Sequence, residues 1–370
     1  MALELSLETW KLGLSDGRRK PRVVQVAARD YAAVLAQLKA AKDKLKLPTD
    51  APVRSCYEAG REGFSVHRAL TELGIDNIVI NSASLKVSRA ARRAKTDRLD
   101  ALQMVEQLVD HHTKVAARLR VVQAPRPEAE DLREHVRELK RLKNELTRCL
   151  GACESLLFKH GHRMALKSLR ARRELAQALA TGALARVGPF LTRTLQRTLA
   201  RASLLQAQIK ELVKERKQLL EAQASLEMRQ VAQLMLLSGC GFEGAWMLVL
   251  ELFGWRRFKN RRELASFVGL VPVPHASGKM ARDLGLSRSG SPRLRALLVE
   301  LAWLWLRYQP ESELSLWFQE RFSGSTRTRR TGIVALARKI LIVFWKYLNT
   351  GEPPRGAKLR PKPLVALAAA

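Results

Sequence analysis

The sequence predicts an α/β domain followed by an all-α half, and three observations predict it. Residues 1 to about 115 alternate short β-type runs with amphipathic helical ones. From about Glu128 leucines recur at three- and four-residue intervals, and from Val231 helical segments follow one another. A chain of 370 residues is long enough for two or three such domains. Its hydrophobic fraction of 46% and charged fraction of 27% are those of a folded protein.

Taken in order, "ALELSLETWKLGLSD" and "RKPRVVQVA" predict short strands around the turn signal "SDGRRK". "ARDYAAVLAQLKAAKDKLK" predicts a helix with Val34, Leu35, Leu38 and Ala41 on one face. "PVRSCYEA" reads as a strand, "GREGFSVHRALTELG" as a helix ending at Gly74, and "IDNIVIN" as a further strand. A basic loop, "SLKVSRAARRAK", then leads into a helix from about Thr96 to His111. The Pro-containing, aperiodic "RVVQAPRPEAED" reads as a linker out of this first domain, assigned to residues 1–120.

Leu132, Val136, Leu139, Leu142, Leu146 and Leu150 form the first leucine stripe. Leu199, Leu205, Ile209, Leu212 and Leu219 form a second, so residues 128–230 predict a helical hairpin or coiled coil. "LMLLSGCGFEGAWMLVLELFG" reads as helix, Gly-Cys-Gly hairpin and helix. "RRELASFVGL", "SPRLRALLVELAWLWLRY" and "TGIVALARKILIVFWKYL" complete a helical domain over 231–350. The Pro- and Lys/Arg-containing residues 351–370 read as a disordered tail.

Composition narrows the function. The net charge of +31, from 66 Lys+Arg against 35 Asp+Glu, points to a polyanionic partner whose phosphates exchange counterions for basic side chains. The basic residues are spread along the chain rather than gathered in one amphipathic membrane anchor. No apolar run approaches the roughly 18 residues of a membrane span, and no signal peptide is apparent, so a cytoplasmic location is expected. Cys149 and Cys153 with His160 and His162 have a zinc-like spacing, but their amphipathic surroundings favour core packing. No GxxxxGK[ST] loop occurs, so ATP is not implied, and Tyr308 and Tyr347 sit among apolar neighbours that favour packing over nucleophilic use.

Carboxylates are scarce, so clustered ones stand out. Asp97 and Asp100 in "TDRLDA" are three apart and share a helical face. Capping is one reading, with Asp97 as N-cap and Asp100 in the first turn. Glu58 ends a predicted strand and Glu4 lies in the first one. Four such oxygen donors suit hard cations, Mg2+ or Mn2+, of the kind that assist phosphodiester cleavage. Strand acids joined by a helical acidic pair are the layout of an RNase-H-like nuclease.

"YEAGREGF" and "KTDRLDA", with "LMLLSGCGFEGAWMLVLELFGWRRFKNRRELASFVGLVPVPHASGK" and "RDLGLSRSGSPRLRALLVELAW", resemble the DEDD-type insertion-sequence transposases, the insertion-sequence-110 or bridge-recombinase family. The resemblance runs in order through nearly the whole chain to about residue 350. It implies an RNase-H-like (RuvC-like) mixed-sheet domain, a coiled-coil insert and a helical transposase domain. It maps the acidic tetrad to Glu4, Glu58, Asp97 and Asp100, with Glu4 where the family has Asp; a slipped alignment would bring in Glu8 or Asp16. It maps the serine nucleophile to Ser277 in "PHASGKMARDLG", with Lys279, Arg282, Arg288 and Arg293 as a basic surround for phosphorane charge.

The resemblance further implies a structured bridge RNA that guides recombination between target and donor double-stranded DNA. It implies a tetramer, a dimer of dimers, in which the tetrad of one subunit works with the serine of another. The hairpin "LLSGCGFEGAWML" reads either as a tight turn or as a phosphate-binding element. "KVSRAARRAK", "WRRFKNRR" and "RFSGSTRTRR" read as phosphate contacts. A water-using junction nuclease and a non-enzymatic RNA-binding scaffold are the rival readings.

Overall fold

In the computed structural model, residues 1–85, 96–113, 119–277, 280–287 and 290–361 are described. The chain divides into two compact units, Met1–Pro125 and Arg126–Ala370.

The first unit is built on a mixed six-stranded sheet. Its elements in chain order are β1 (Ala2–Glu4), β2 (Thr9–Leu14), β3 (Arg22–Ala27), α1 (Tyr31–Leu45), β4 (Arg54–Glu58), α2 (Ser65–Glu72), β5 (Asp76–Ile80), α3 (Asp97–Thr113) and β6 (Val121–Val122). The strands lie in the order β3-β2-β1-β4-β5-β6. β1, β4 and β5 run parallel, while β2, β3 and β6 join antiparallel to their neighbours. The αβ alternation of the sequence is thus realised. β6 corrects the linker expected there: Val121 and Val122 pair with Ile80 and Val79 and close the sheet edge.

The two faces of the sheet carry separate cores. One gathers Leu3, Trp10, Leu12 and Tyr57 with Val34 and Leu38 of α1 and Val66 and Leu70 of α2. The other joins Ala2, Cys56 and Ile80 to Met104, Val105 and Leu108 of α3. Period-2 alternation of the strands is what allows both faces to be covered by helices.

The second unit starts with α4 (Pro127–Lys159), α5 (Leu169–Thr181) and α6 (Pro189–Ala222). Pro127 and Pro189 occupy first-turn positions, where a missing N–H costs nothing. The leucine stripes do meet: Leu139, Leu142, Leu150, Leu195, Leu199, Leu205, Ile209 and Leu212 share one core. Cys149 and Cys153 are buried in that core, as packing requires. The connection is more than the expected turn, because α5 adds Leu175 and Leu179 to the same core.

The remaining elements are α7 (Leu226–Met235), α8 (Phe242–Leu248, continued by a π turn, Val249–Phe253), α9 (Arg261–Val268), β7 (Pro272–Ser277), β8 (Met280–Leu286), α10 (Pro292–Tyr308), α11 (Glu313–Phe322) and α12 (Thr326–Thr350). A core around Trp246, Trp305, Leu298, Leu336, Ile340 and Phe344 holds the helices. The hairpin β7–β8 corrects an all-helical expectation. Residues 352–361 depart from the expected disordered tail. Leu359 bridges Leu237, and the buried Gln309 side chain donates to the carbonyls of Ser238 and Lys358 at 2.8 and 2.9 Å and accepts from the Lys358 N–H at 2.6 Å. Residues 362–370 lie outside the described residues.

Among the described residues, no helix is long and apolar enough to cross a membrane.

Candidate active site

The two strand acids come to one edge of the sheet. Leu3 of β1 pairs with Tyr57 of β4 in parallel register, so the next residue on each strand is Glu4 and Glu58. Both strands end there, and the carboxyl ends of parallel strands are where open α/β sheets present their ligand sites. The motif that follows Glu58 is shaped by Tyr57, whose buried hydroxyl donates to the Gly63 carbonyl at 2.8 Å. Gly63 has φ +61°, which a side chain would strain.

The helical acids arrive from α3. A Cβ added to Gly13 of β2 would lie 2.6 Å from the Ala101 carbonyl oxygen, so only glycine lets the helix backbone come this close to the sheet. This contact holds the acidic first turn of α3 beside β1 and β2. Capping is done by Thr96, whose hydroxyl accepts from the Leu99 N–H at 3.3 Å and whose carbonyl accepts from the Asp100 N–H at 3.1 Å. Asp97 is therefore the first residue of the helix and not its cap, which corrects the capping assignment. Both carboxylates still complement the helix dipole.

Lys11 links the two sets. It pairs with Glu4 across β1 and β2, and its Nζ lies 3.6 Å from Asp97 Oδ2. The Asp97 side chain is 63% exposed, so this pair is open to solvent and to exchange by another cation. Among the described residues, no three His, Cys, Asp or Glu side chains gather closely enough to hold a metal ion. The acids are brought together pairwise, Glu4 beside Glu58 and Asp97 one turn from Asp100, with an ammonium group against one of them. An all-oxygen donor set of this kind matches Mg2+ or Mn2+ in chemistry.

The two alternatives for Glu4 fall elsewhere. Asp16 accepts from the Arg18 and Arg19 N–H groups, both at 2.9 Å, and these bonds hold its carboxyl below the usual range. It is a turn residue. Glu8 sits in the bend before β2, its carbonyl bonded to the Ala28 N–H at 2.9 Å.

Ser277 is the last residue of β7 and pairs with Met280 at the start of β8. It therefore stands at the tip of a two-stranded ribbon, beside Gly278 and Lys279, which lie outside the described residues, as does Arg288. Arg293 lines a small cavity of about 150 Å³ with Arg137, Glu251 and Ser291.

Other expected nucleic-acid elements divide. "KVSRAARRAK" occupies residues 86–95, outside the described residues. In "WRRFKNRR", Arg256 is turned inward over Trp255 at 3.9 Å and Phe267 at 4.2 Å, so it packs rather than reaching outward. Arg257, Lys259, Arg261 and Arg262 remain exposed. The Gly-Cys-Gly hairpin is tight: Gly239 has φ +91° and a Cβ there would lie 3.2 Å from the Leu304 carbonyl. Tyr347 is buried as expected, whereas Tyr308 is 45% exposed, contrary to its expected packing.

Comparison with known proteins decides the kinship. The chain is 39% identical to the candidate transposase y4rJ of Sinorhizobium fredii (strain NBRC 101917 / NGR234), over 97% of this chain and 94% of that one. Residues 231–315 match the transposase IS116/IS110/IS902 family. This chain belongs to the IS110 transposase family. The transposase for insertion sequence element IS1111A of Coxiella burnetii is 27% identical over 78% of this chain and 76% of its own length. The transposase for IS1328 of Yersinia enterocolitica is 27% identical over 44% of this chain. The IS110 match covers the ribbon that carries Ser277.

Proposed function

We propose that this chain is a DNA recombinase of the IS110 family that breaks and rejoins strands through a serine–phosphate intermediate. The observation that carries the acidic half is the sheet edge. Glu4 and Glu58 end neighbouring parallel strands, and the acidic first turn of α3 is held beside them by Gly13. The strand order, with an antiparallel β2 between β3 and β1, supports a RuvC-like reading of the first unit.

In this reading Glu4, Glu58, Asp97 and Asp100, which stand here in two pairs, would together hold Mg2+ or Mn2+, and the ion would neutralise charge on the scissile phosphate. Ser277 Oγ attacks phosphorus, its proton passes to a nearby base, and the leaving 3′- or 5′-oxygen departs as the new Oγ–P bond forms. The reverse attack by a strand hydroxyl releases the serine and joins DNA, so no ATP is required. Arg293 and the basic residues around the ribbon stabilise the extra negative charge of the phosphorane. A structured RNA guide pairing with target and donor DNA, and a tetramer sharing acids and serines between copies, complete the proposal.

Asp97→Asn and Asp100→Asn test the acidic half, because each removes a charge and keeps the shape. Strand breakage in Mg2+ on a plasmid carrying the element ends should fall by at least about 100-fold, the scale of a lost catalytic electrostatic contact. The thermal midpoint should stay within a few degrees, since Thr96 does the capping. Parallel loss of folding and activity would instead return these acids to a structural role.

A further inference from the structure

The unused feature of the second unit is a basic and aromatic surface formed by α10 and the start of α12. Trp303 is 41% exposed although α10 otherwise buries Leu298, Leu301, Ala302 and Trp305 in the core. The Arg329 guanidinium of α12 lies 5.6 Å from the centre of its ring. One turn along α10, Arg307 lies 5.4 Å from the ring centre of Tyr308, which is 45% exposed. Arg327 and Arg330 flank Arg329 and are exposed. Among the described residues, no carboxylate pairs with Arg307, Arg327, Arg329 or Arg330. Glu300, the single carboxylate of α10, ion-pairs with none of them.

An exposed indole is costly in water, and Trp303 keeps 41% of its surface open despite the guanidinium against its ring. Unpaired arginines beside it bring positive charge with no protein anion to meet. Indole plus guanidinium groups is the equipment for stacking a base while neutralising its phosphates. Base pairs in a duplex hide their faces inside the stack, so only unpaired bases can use the ring.

We infer that Trp303, with Arg329 against its ring and Arg307 one turn along α10, is a stacking platform for single-stranded DNA, and that Arg327 and Arg330 hold the adjoining phosphates. The platform rests on the reading of the chain as a DNA-acting transposase, whose strand breakage creates unpaired DNA. The preference for DNA rests on that strand breakage, since ring faces and guanidinium donors can stack and pair with unpaired strands of either sugar. The transposase reading would fail if the intact chain broke no DNA strand. The platform is tested by binding alone, without divalent cations, so the two failures are distinguishable.

The test compares full-length chains binding fluorescein-labelled oligothymidylate of about 20 nucleotides, longer than a single binding site. A duplex and an oligouridylate of the same length serve as the other probes. Trp303→Ala should weaken oligothymidylate binding by about 5- to 100-fold, the range for loss of one stacked base, and change duplex binding by less than about twofold. Trp303→Phe should recover most of the loss, and Arg327→Gln should lower the salt slope by about 0.7. Should Trp303→Ala fail to fold, Trp303→Phe and Arg327→Gln still decide the matter through affinity and slope. Unchanged affinity on removing the indole, equal losses on single strand and duplex, or tighter binding of the oligouridylate would each overturn the assignment.

Discussion

Asp97 shows how a single residue can be read in two ways until its neighbours are placed. In the sequence it competes for the cap of its helix; in the structure Thr96 caps, and Asp97 instead faces the Lys11 ammonium at 3.6 Å. An exposed pair of this kind is worth no more than about 1 kcal/mol. Lys11→Gln should therefore leave stability within about 1 kcal/mol of the native chain. If the ammonium stands where a cation binds, the same change should lower the Mg2+ concentration needed for half-maximal strand breakage. A raised requirement would show that Lys11 helps the site rather than competing for it. A second residue, Arg216, was not legible as special among the basic residues of its helix. Its side chain is 1% exposed, donates to Glu243 at 3.2 Å and to the His135 carbonyl at 2.6 Å, and lies 5.2 Å from the Trp246 ring centre. Arg216→Ala strands no buried charge but takes the charged donor from the His135 carbonyl, and should cost about 1–3 kcal/mol in urea unfolding. A loss below about 1 kcal/mol would show that the burial of Arg216 does not matter to stability.

At the scale of elements, legibility followed the length of the pattern. The leucine stripes span about five helical turns each, so they announced α4 and α6; most of their residues form one core, while Leu132, Val136 and Leu219 pack with the core of the later helices. β6 has only Val121 and Val122, too short for any alternation to register. β7 was hidden by Pro272 and Pro274, which argue against a strand unless it is a ribbon edge with an irregular register, as here. The order of residues 352–361 comes from Gln309, more than forty positions away, and no local pattern could reveal it. Gly13 is the element-scale residue that matters most for the site, because it sets how closely α3 approaches β2. Gly13→Ala would place a methyl 2.6 Å from the Ala101 carbonyl and should cost about 1–3 kcal/mol by forcing the backbones apart. The same shift moves Asp97 and Asp100, so strand breakage should fall even at temperatures where the variant remains folded. Native activity in a folded Gly13→Ala chain would show that this spacing does not matter to catalysis.

Over the whole molecule, the four acids lie in the first unit and Ser277 in the second. Their order along the chain was readable from motifs, but a sequence does not say which copy of each acts with which. Mixing Asp97→Asn chains with Ser277→Ala chains, each inactive alone, answers this when subunits are allowed to exchange. Shared sites restore part of the activity, because some assemblies pair an intact acidic set with an intact serine. Confirmed mixed oligomers without recovery would assign both halves to one chain. The charge of +31 sets a second whole-molecule expectation, a steep fall of nucleic-acid affinity with salt. Affinity for the guide RNA should separate from that for unrelated RNA as salt rises, and curves that never diverge would remove the guide from the account.

A covalent bond between Ser277 and DNA is what sets a serine recombinase apart from a water-using nuclease, and mass spectrometry of denatured cleavage reactions reads that bond. Native chain incubated with Mg2+ and a cleavable duplex should yield a peptide carrying a nucleotide phosphate on Ser277, and Ser277→Ala should bind the duplex yet yield no adduct. Cleaved DNA free of protein, or an adduct that persists in Ser277→Ala, would contradict a Ser277–phosphate intermediate.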